Sequence, residues 1–223
     1  CWMRVRKETR SGAIASFTLG VIVATLFTGS PFSVDLHNLS DPANPIISRW
    51  ENKWHGLEAL INPWNLAFGI CIFFLARVLG ILYFMNTISN EAILQRSKKQ
   101  LLYNAVPFVA TFLIFVIYLL FKEGYYYDEQ SKICFLEEHK YLHNLIEMPL
   151  NTLVFLSGVA LTLLGIIWPL KKDATKAIFL AGPGVFLVGF SLFALAGFNH
   201  TPFYPSTVDM QSSLSIFNAS SGY

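Results

Sequence analysis

The chain has 223 residues, of which 54% are hydrophobic and 15% aromatic but only 13% charged. A water-soluble domain of this length carries nearer a quarter charged residues. The formal net charge of +2 offers no electrostatic footprint for a nucleic-acid partner.

In chain order, apolar blocks fall at 13–29, 64–86, 101–121, 150–169 and 177–198. A helix rises about 1.5 Å per residue, so about 20 apolar residues cross a hydrocarbon core about 30 Å thick. Each block is near that length, the first being the shortest. The expected fold class is all-α: a polytopic transmembrane helix bundle with five spans, forming one transmembrane helical domain over 1–223. The sequence starts at Cys1 and stops at Tyr223 within a polar run, so it is expected to be a segment of a longer protein.

Small residues mark contact faces in lipid, where helices associate by close packing. The first block carries Ser16, Gly20 and Ala24 at four-residue spacing, and the second places Gly69, Ala76 and Gly80 on one side. The fifth opens with Gly182, Pro183 and Gly184, followed by Gly189, which predicts a kinked, closely approached first half.

Basic residues between the blocks set the orientation. Arg4, Arg6, Lys7 and Arg10 lie in 1–12, Arg96, Lys98 and Lys99 in 87–100, and Lys171, Lys172 and Lys176 in 170–176. The alternate segments hold fewer: Arg49 and Lys53, then Lys122, Lys132 and Lys140. Cytoplasmic loops carry the excess of lysine and arginine, so 1–12, 87–100 and 170–176 are expected to be cytoplasmic. Trp64 and Trp168 are expected at opposite membrane interfaces.

Arg77 lies near the middle of the second block, in FFLARVLG. A central arginine costs about 2.5–3.5 kcal/mol on insertion scales. Arg77 is therefore the candidate buried intramembrane charge, expected to face the bundle or a partner subunit beside Ala76 and Gly80. Two roles are open to it: counter-charge to a buried propionate, carboxylate or quinone oxygen, or half of an ion pair with another helix.

No catalytic, cofactor-binding or metal-ligating set emerges. The five histidines, His37, His55, His139, His143 and His200, all fall in outer loops or at an outer span end. A membrane haem takes ligands such as histidine or methionine from helices at depth, so this segment is expected to bind no cofactor itself. His139, His143 and Glu147 come at helical spacing, which predicts an amphipathic loop helix or, failing that, a surface metal patch. Cys71 is expected to pack within a span, and Cys134 lies in an outer loop, with no framework for a disulfide or zinc site. The blocks contain no aspartate or glutamate for an intramembrane proton relay.

Four stretches go further. GSPFSVD (Gly29–Asp35) opens an outer loop, LINPWNLAFG (Leu60–Gly69) leads into the second span, KEGYYYD (Lys122–Asp128) follows the third, and PSTVDMQSSLSIFNASSGY (Pro205–Tyr223) follows the fifth. In this order and at this spacing to the spans, the set resembles subunit II of cytochrome bd-type quinol oxidases, including the cyanide-insensitive branch, from about residue 12 to 223. The resemblance implies a middle and C-terminal portion, with N-terminal helices and a last helix lying outside it. Arg77 departs from the pattern, since some members are apolar there.

The resemblance implies an oxidoreductase complex in the bacterial cytoplasmic (inner) membrane. The chain would pair with a larger, haem-bearing subunit I that holds the quinol site and haems b and d, or b alone in some cyanide-insensitive members. The complex would oxidise quinol, reduce oxygen to water and build a proton gradient. Subunit II would support assembly and haem retention and line part of the proton route. The remaining partners would be membrane lipid and quinol. An alternative from another class is a secondary transporter fragment, with Arg77 as the substrate counter-charge and Gly182-Pro183-Gly184 as a broken-helix site. A third is a scaffold subunit of another respiratory complex.

Overall fold

The computed structural model describes residues 2–34, 48–88, 90–172 and 175–215, with side chains from Ser11 onward. Five helices are long and apolar enough to cross a membrane. They are α1 (Trp2–Thr28), α2 (Pro63–Thr87), α3 (Glu91–Phe121), α5 (Pro149–Lys171) and α6 (Ile178–Gly197), with a short α4 (Lys140–Glu147) between the third and fourth of them. The expected all-α polytopic bundle is what forms. Two small additions were not expected: β1 (Phe32–Val34) pairs antiparallel with β2 (Ser48–Trp50), and β3 (Gly124–Asp128) with β4 (Ile133–Glu137).

Local chemistry explains the boundaries. Asn62 accepts from the Trp64 amide at 2.9 Å, and Pro63 follows it as the first helical residue. That is an N-cap with proline where no amide donor is needed. Asn90 caps α3 in the same way, accepting from the Ala92 amide at 3.0 Å. The loop expected over 87–100 is therefore corrected. α2 runs to Thr87 and α3 begins at Glu91, because Asn90 starts a helix whose first ten residues are mostly polar. At about 1.5 Å per residue, that polar stretch carries α3 roughly 15 Å beyond its apolar block.

The chain forms two compact units. The first comprises 1–20, 67–116 and 149–192. In it, Phe68 meets Phe115 at 4.3 Å between ring centroids, and the Cys71 thiol lies 4.0 Å from the Phe108 carbonyl oxygen. These contacts run in opposite sequence directions, so α2 and α3 are antiparallel neighbours. α5 and α6 approach more closely still. A methyl group built on Gly184 would lie 2.6 Å from the Thr162 backbone nitrogen, and one on Gly158 would lie 2.8 Å from the Gly184 carbonyl oxygen. Asn151 and Ser191 tie the same pair reciprocally, each side chain donating to the other's carbonyl at 3.3 and 3.2 Å.

The small-residue expectations are met in part. Gly20 packs against Gly69, as expected for α1 and α2. Ala76 and Gly80 instead lie on an exposed face, with open space around Gly80. Gly184 is closely approached, whereas Gly182 and Gly189 face open space. α6 continues without a break through Gly182-Pro183-Gly184. The broken-helix site of the transporter reading is thus absent from this helix.

The second unit comprises 21–66, 117–148 and 193–223. It holds the described parts of the three loop regions expected on the outer side, gathered around the two hairpins. Trp64 stacks on Tyr118 there, at 3.8 Å and 7° between ring planes. In the β3–β4 hairpin, Tyr125, Tyr127 and Cys134 form a small buried cluster on one face, as alternation along a strand dictates. The turn is set by Asp128, whose carboxylate accepts from the Gln130 amide at 3.1 Å and the Ser131 hydroxyl at 2.6 Å.

Candidate functional site

Arg77 is exposed on α2. Its Nε donates to Asn104 Oδ1 on α3 at 2.5 Å, and its guanidinium carbon lies 5.8 Å from the centre of the Phe73 ring. Of the two settings expected for Arg77 beside Ala76 and Gly80, the bundle or a partner subunit, the inside of this bundle is not the one it takes. All three sit on an outward face, because the contact face of α2 is set by Phe68, Cys71 and Val78, which are buried. Arg77 lines an open cleft of about 680 Å³ with Gly80, Ile81, Phe84, Arg96 and Ser97, and Ile93 and Gln100 complete it. Two arginines thus share one largely apolar recess, at the polar first turns of α3.

In the second unit the described parts of the first and last family-like stretches close on each other, and the last also reaches the β3–β4 hairpin. Gly29 ends α1 with its amide on the Thr25 carbonyl at 2.8 Å and a φ of 82°, the left-handed conformation glycine adopts freely. That turn brings Ser30 into a parallel bridge with Ser206 of the tail. Ser30 donates its amide to the Pro205 carbonyl at 3.0 Å, and the Tyr204 hydroxyl donates to Ser30 Oγ at 2.9 Å. The Val34 amide donates to Ser212 Oγ at 2.9 Å. Gln211 reaches the hairpin. Its amide oxygen accepts from the Cys134 backbone at 3.0 Å, and its amide nitrogen donates to the Cys134 carbonyl at 2.9 Å. Asn65, from the LINPWN stretch, accepts from the Thr28 hydroxyl at 2.8 Å and donates to the Ala59 carbonyl at 3.1 Å.

α4 is the expected amphipathic loop helix, but its buried face is polar. Asn144 donates to Thr201 Oγ1 at 2.7 Å and to the Leu195 carbonyl at 3.2 Å. Lys140 is buried, 3.3 Å from Glu137 Oε2 and 4.3 Å from the centre of the Tyr126 ring. Burial pushes the Lys140 pKa down against the opposing pull of Glu137. Burial also pushes Glu137 up, but the His143 hydrogen bond at 2.7 Å and the Lys140 charge outweigh it, leaving that carboxyl below its ordinary value. Elsewhere in the second unit, both carboxylate oxygens of Glu58 are shielded and make no hydrogen bond among the described residues. Asn144 pairs with residues more than fifty positions away, which spacing along the chain does not announce, whereas Lys140 and His143 meet Glu137 at separations of three and six residues.

Among the described residues no histidine, cysteine, aspartate or glutamate cluster could hold a metal, so the surface-patch alternative at His139, His143 and Glu147 is set aside. Haem ligation was tested against the spans themselves. Their described residues offer two sulfur side chains, Cys71 and Met85, both buried on α2, and no histidine. They provide no axial pair from facing helices, so the donor set does not fit a haem held by this segment.

No curated protein matches the chain. The model of one family, described as cytochrome bd terminal oxidase subunit II, matches residues 9–223, which take in every apolar block and all four loop stretches. This polytopic membrane protein belongs to the cytochrome bd terminal oxidase subunit II family.

Proposed function

We propose that the chain serves a membrane quinol:oxygen oxidoreductase as its non-haem-ligating subunit. It pairs with a larger subunit I that carries the quinol site and haem b, with haem d in the members that use it. The supporting observation is the hydrogen-bonded cap formed by residues 30–34, the 204–215 tail and the β3–β4 hairpin, in a chain matched by the family over 9–223. On this reading the subunit promotes assembly and haem retention.

The segment works as one transmembrane domain, in a bacterial inner membrane, with 1–12, 87–100 and 170–176 on the cytoplasmic side. The meeting of 30–34, 124–137 and 204–215 in one unit supports the alternation this requires. A contribution to the proton route would rest on hydroxyl and amide groups such as Thr28 and Asn65, because the described apolar spans hold no acid beyond Glu91 at the start of α3.

The test is purification of the tagged full-length protein from its native membranes. The reading expects a larger haem-bearing polypeptide in fixed stoichiometry and reduced-minus-oxidised bands from haem b. Recovery of the protein free of haem and partner would overturn it.

A further inference from the structure

We propose that the cleft between α2 and α3 binds the phosphate-bearing headgroup of an anionic phospholipid. The segment 87–100 faces the cytoplasm here, as in the reading above; the oxidase assignment itself is not required.

The cleft joins two kinds of surface. Arg77, Arg96, Ser97 and Gln100 supply hydrogen-bond donors, and Ile81 and Phe84 supply apolar walls. No acidic side chain lines it. Neither arginine forms an ion pair among the described residues, and the partners of Arg77, Asn104 and Phe73, are both neutral. Among the described residues the recess therefore carries uncompensated positive charge. A guanidinium presents paired N–H groups that match a phosphate in a way a single ammonium cannot.

Depth favours a lipid. Arg77 lies ten residues from the end of α2, about 15 Å at the helical rise. Its side chain, however, engages Asn104, one turn beyond Gln100, where the polar stretch of α3 ends. Long basic side chains bury their stems and lift the charged head toward the interface, and the shared lining with Arg96 and Ser97 points the same way. A phospholipid already holds its phosphate at that level, with acyl chains alongside to fill the Ile81–Phe84 wall. A carboxylate from a partner helix would first have to enter the hydrocarbon, at a cost of about 2.5–3.5 kcal/mol. Basic pockets between transmembrane helices on the cytoplasmic side are suited to acidic headgroups.

The experiment uses the full-length protein with whatever copurifies, delipidated in mild detergent. Native mass spectrometry reads binding of phosphatidylglycerol against phosphatidylcholine. The proposal expects preference for phosphatidylglycerol, falling about fivefold for Arg77→Gln and about fivefold for Arg96→Gln, the effect of one basic residue near an anionic surface. Arg96→Lys, which keeps the charge but loses the paired donors, should retain only part of it. Gly80→Leu, which fills open space in the cleft without removing charge, should also abolish the preference, and it guards against misfolding of the arginine variants. An unchanged preference in the Arg77→Gln/Arg96→Gln double variant would overturn the proposal. Displacement of phosphatidylglycerol by millimolar inorganic phosphate would also overturn it, by showing a free-anion site. So would loss of a copurifying subunit with the lipid preference intact, which would assign the cleft to a protein carboxylate. Failure of the oxidase reading would appear separately, as protein without haem.

Discussion

Arg77 Nε lies 2.5 Å from Asn104 Oδ1, and the same asparagine turns its amide nitrogen onto the Gln100 carbonyl at 2.6 Å. The charge in α2 is thus held by a neutral group that is itself tied to the backbone of α3. Asn104→Leu removes the acceptor and leaves the guanidinium unsatisfied. A hydrogen bond to a charged group contributes about 1.5–3 kcal/mol, and replacing both partners by apolar groups can be nearly neutral. Thermal unfolding of the purified complex should show a loss for Asn104→Leu that is largely restored in Arg77→Leu/Asn104→Leu. Equal losses in the single and double variants would show that the pair does not act as a unit.

Gly29 makes a second prediction. Its φ of 82° would strain a side chain by about 1–2 kcal/mol, and a methyl there would lie 2.8 Å from Thr207 Cγ2 and 3.0 Å from the Pro205 carbonyl oxygen. Gly29→Ala should lower the thermal midpoint and the yield of folded protein. Asparagine tolerates the left-handed region better than alanine does, yet its Cβ meets the same atoms. Gly29→Asn should therefore give little rescue, and full rescue would show that backbone strain alone is at issue.

Cys134 reports on the cap. Its thiol is buried, and burial pushes its pKa up to about 11, the Ser213 contact only partly opposing this. Against an ordinary thiol near pH 8.5, that leaves roughly two orders of magnitude less thiolate at neutral pH. Maleimide labelling of Cys134 should be slow at pH 7.5. Gln211→Ala, which releases both hydrogen bonds to the Cys134 backbone, should speed it up. Labelling as fast in the parent as in Gln211→Ala would mean that the tail does not cover the hairpin.

Much of this architecture is written in local sequence. The apolar blocks at 64–86 and 150–169 end within two residues of α2 and α5, because hydropathy and helix length report the same bilayer thickness. α3 shows where that signal stops. Residues 91–100 are helical but mostly polar, so hydropathy does not mark them and the Asn90 cap does. The β3–β4 hairpin had a readable signature, a run of three strand-favouring tyrosines, Tyr125–Tyr127, before the turn residues Asp128–Ser131. The face of Arg77 could not be read. α2 is apolar all round, so no helical period distinguishes inside from outside. Contacts such as Asn144 with Thr201 depend on tertiary closure and leave no mark on the neighbouring sequence.

Lys122 sets a pH dependence. Its ammonium donates to the Glu123 carbonyl at 3.0 Å, and burial pulls its pKa down to about 8, with the Glu123 charge opposing. Below pH 8 the folded protein bears the burden of a shielded charge. Between pH 8 and about 10.5 the folded form has released its proton while the unfolded form still holds one, so stability from this residue rises with pH. The excess thermal midpoint of Lys122→Met over the parent should be largest below pH 8 and shrink as pH climbs toward 10.5. A constant difference across that range would show that Lys122 is ordinarily solvated.

The central claim is most directly tested in native membranes of a strain lacking this chain, by recording quinol-driven oxygen uptake with the reduced-minus-oxidised visible spectrum. Loss of both the uptake and the haem bands, restored together by the full-length protein, is the predicted result. Membranes that keep full quinol oxidation and an unaltered haem spectrum, with no other terminal oxidase present, would contradict the account.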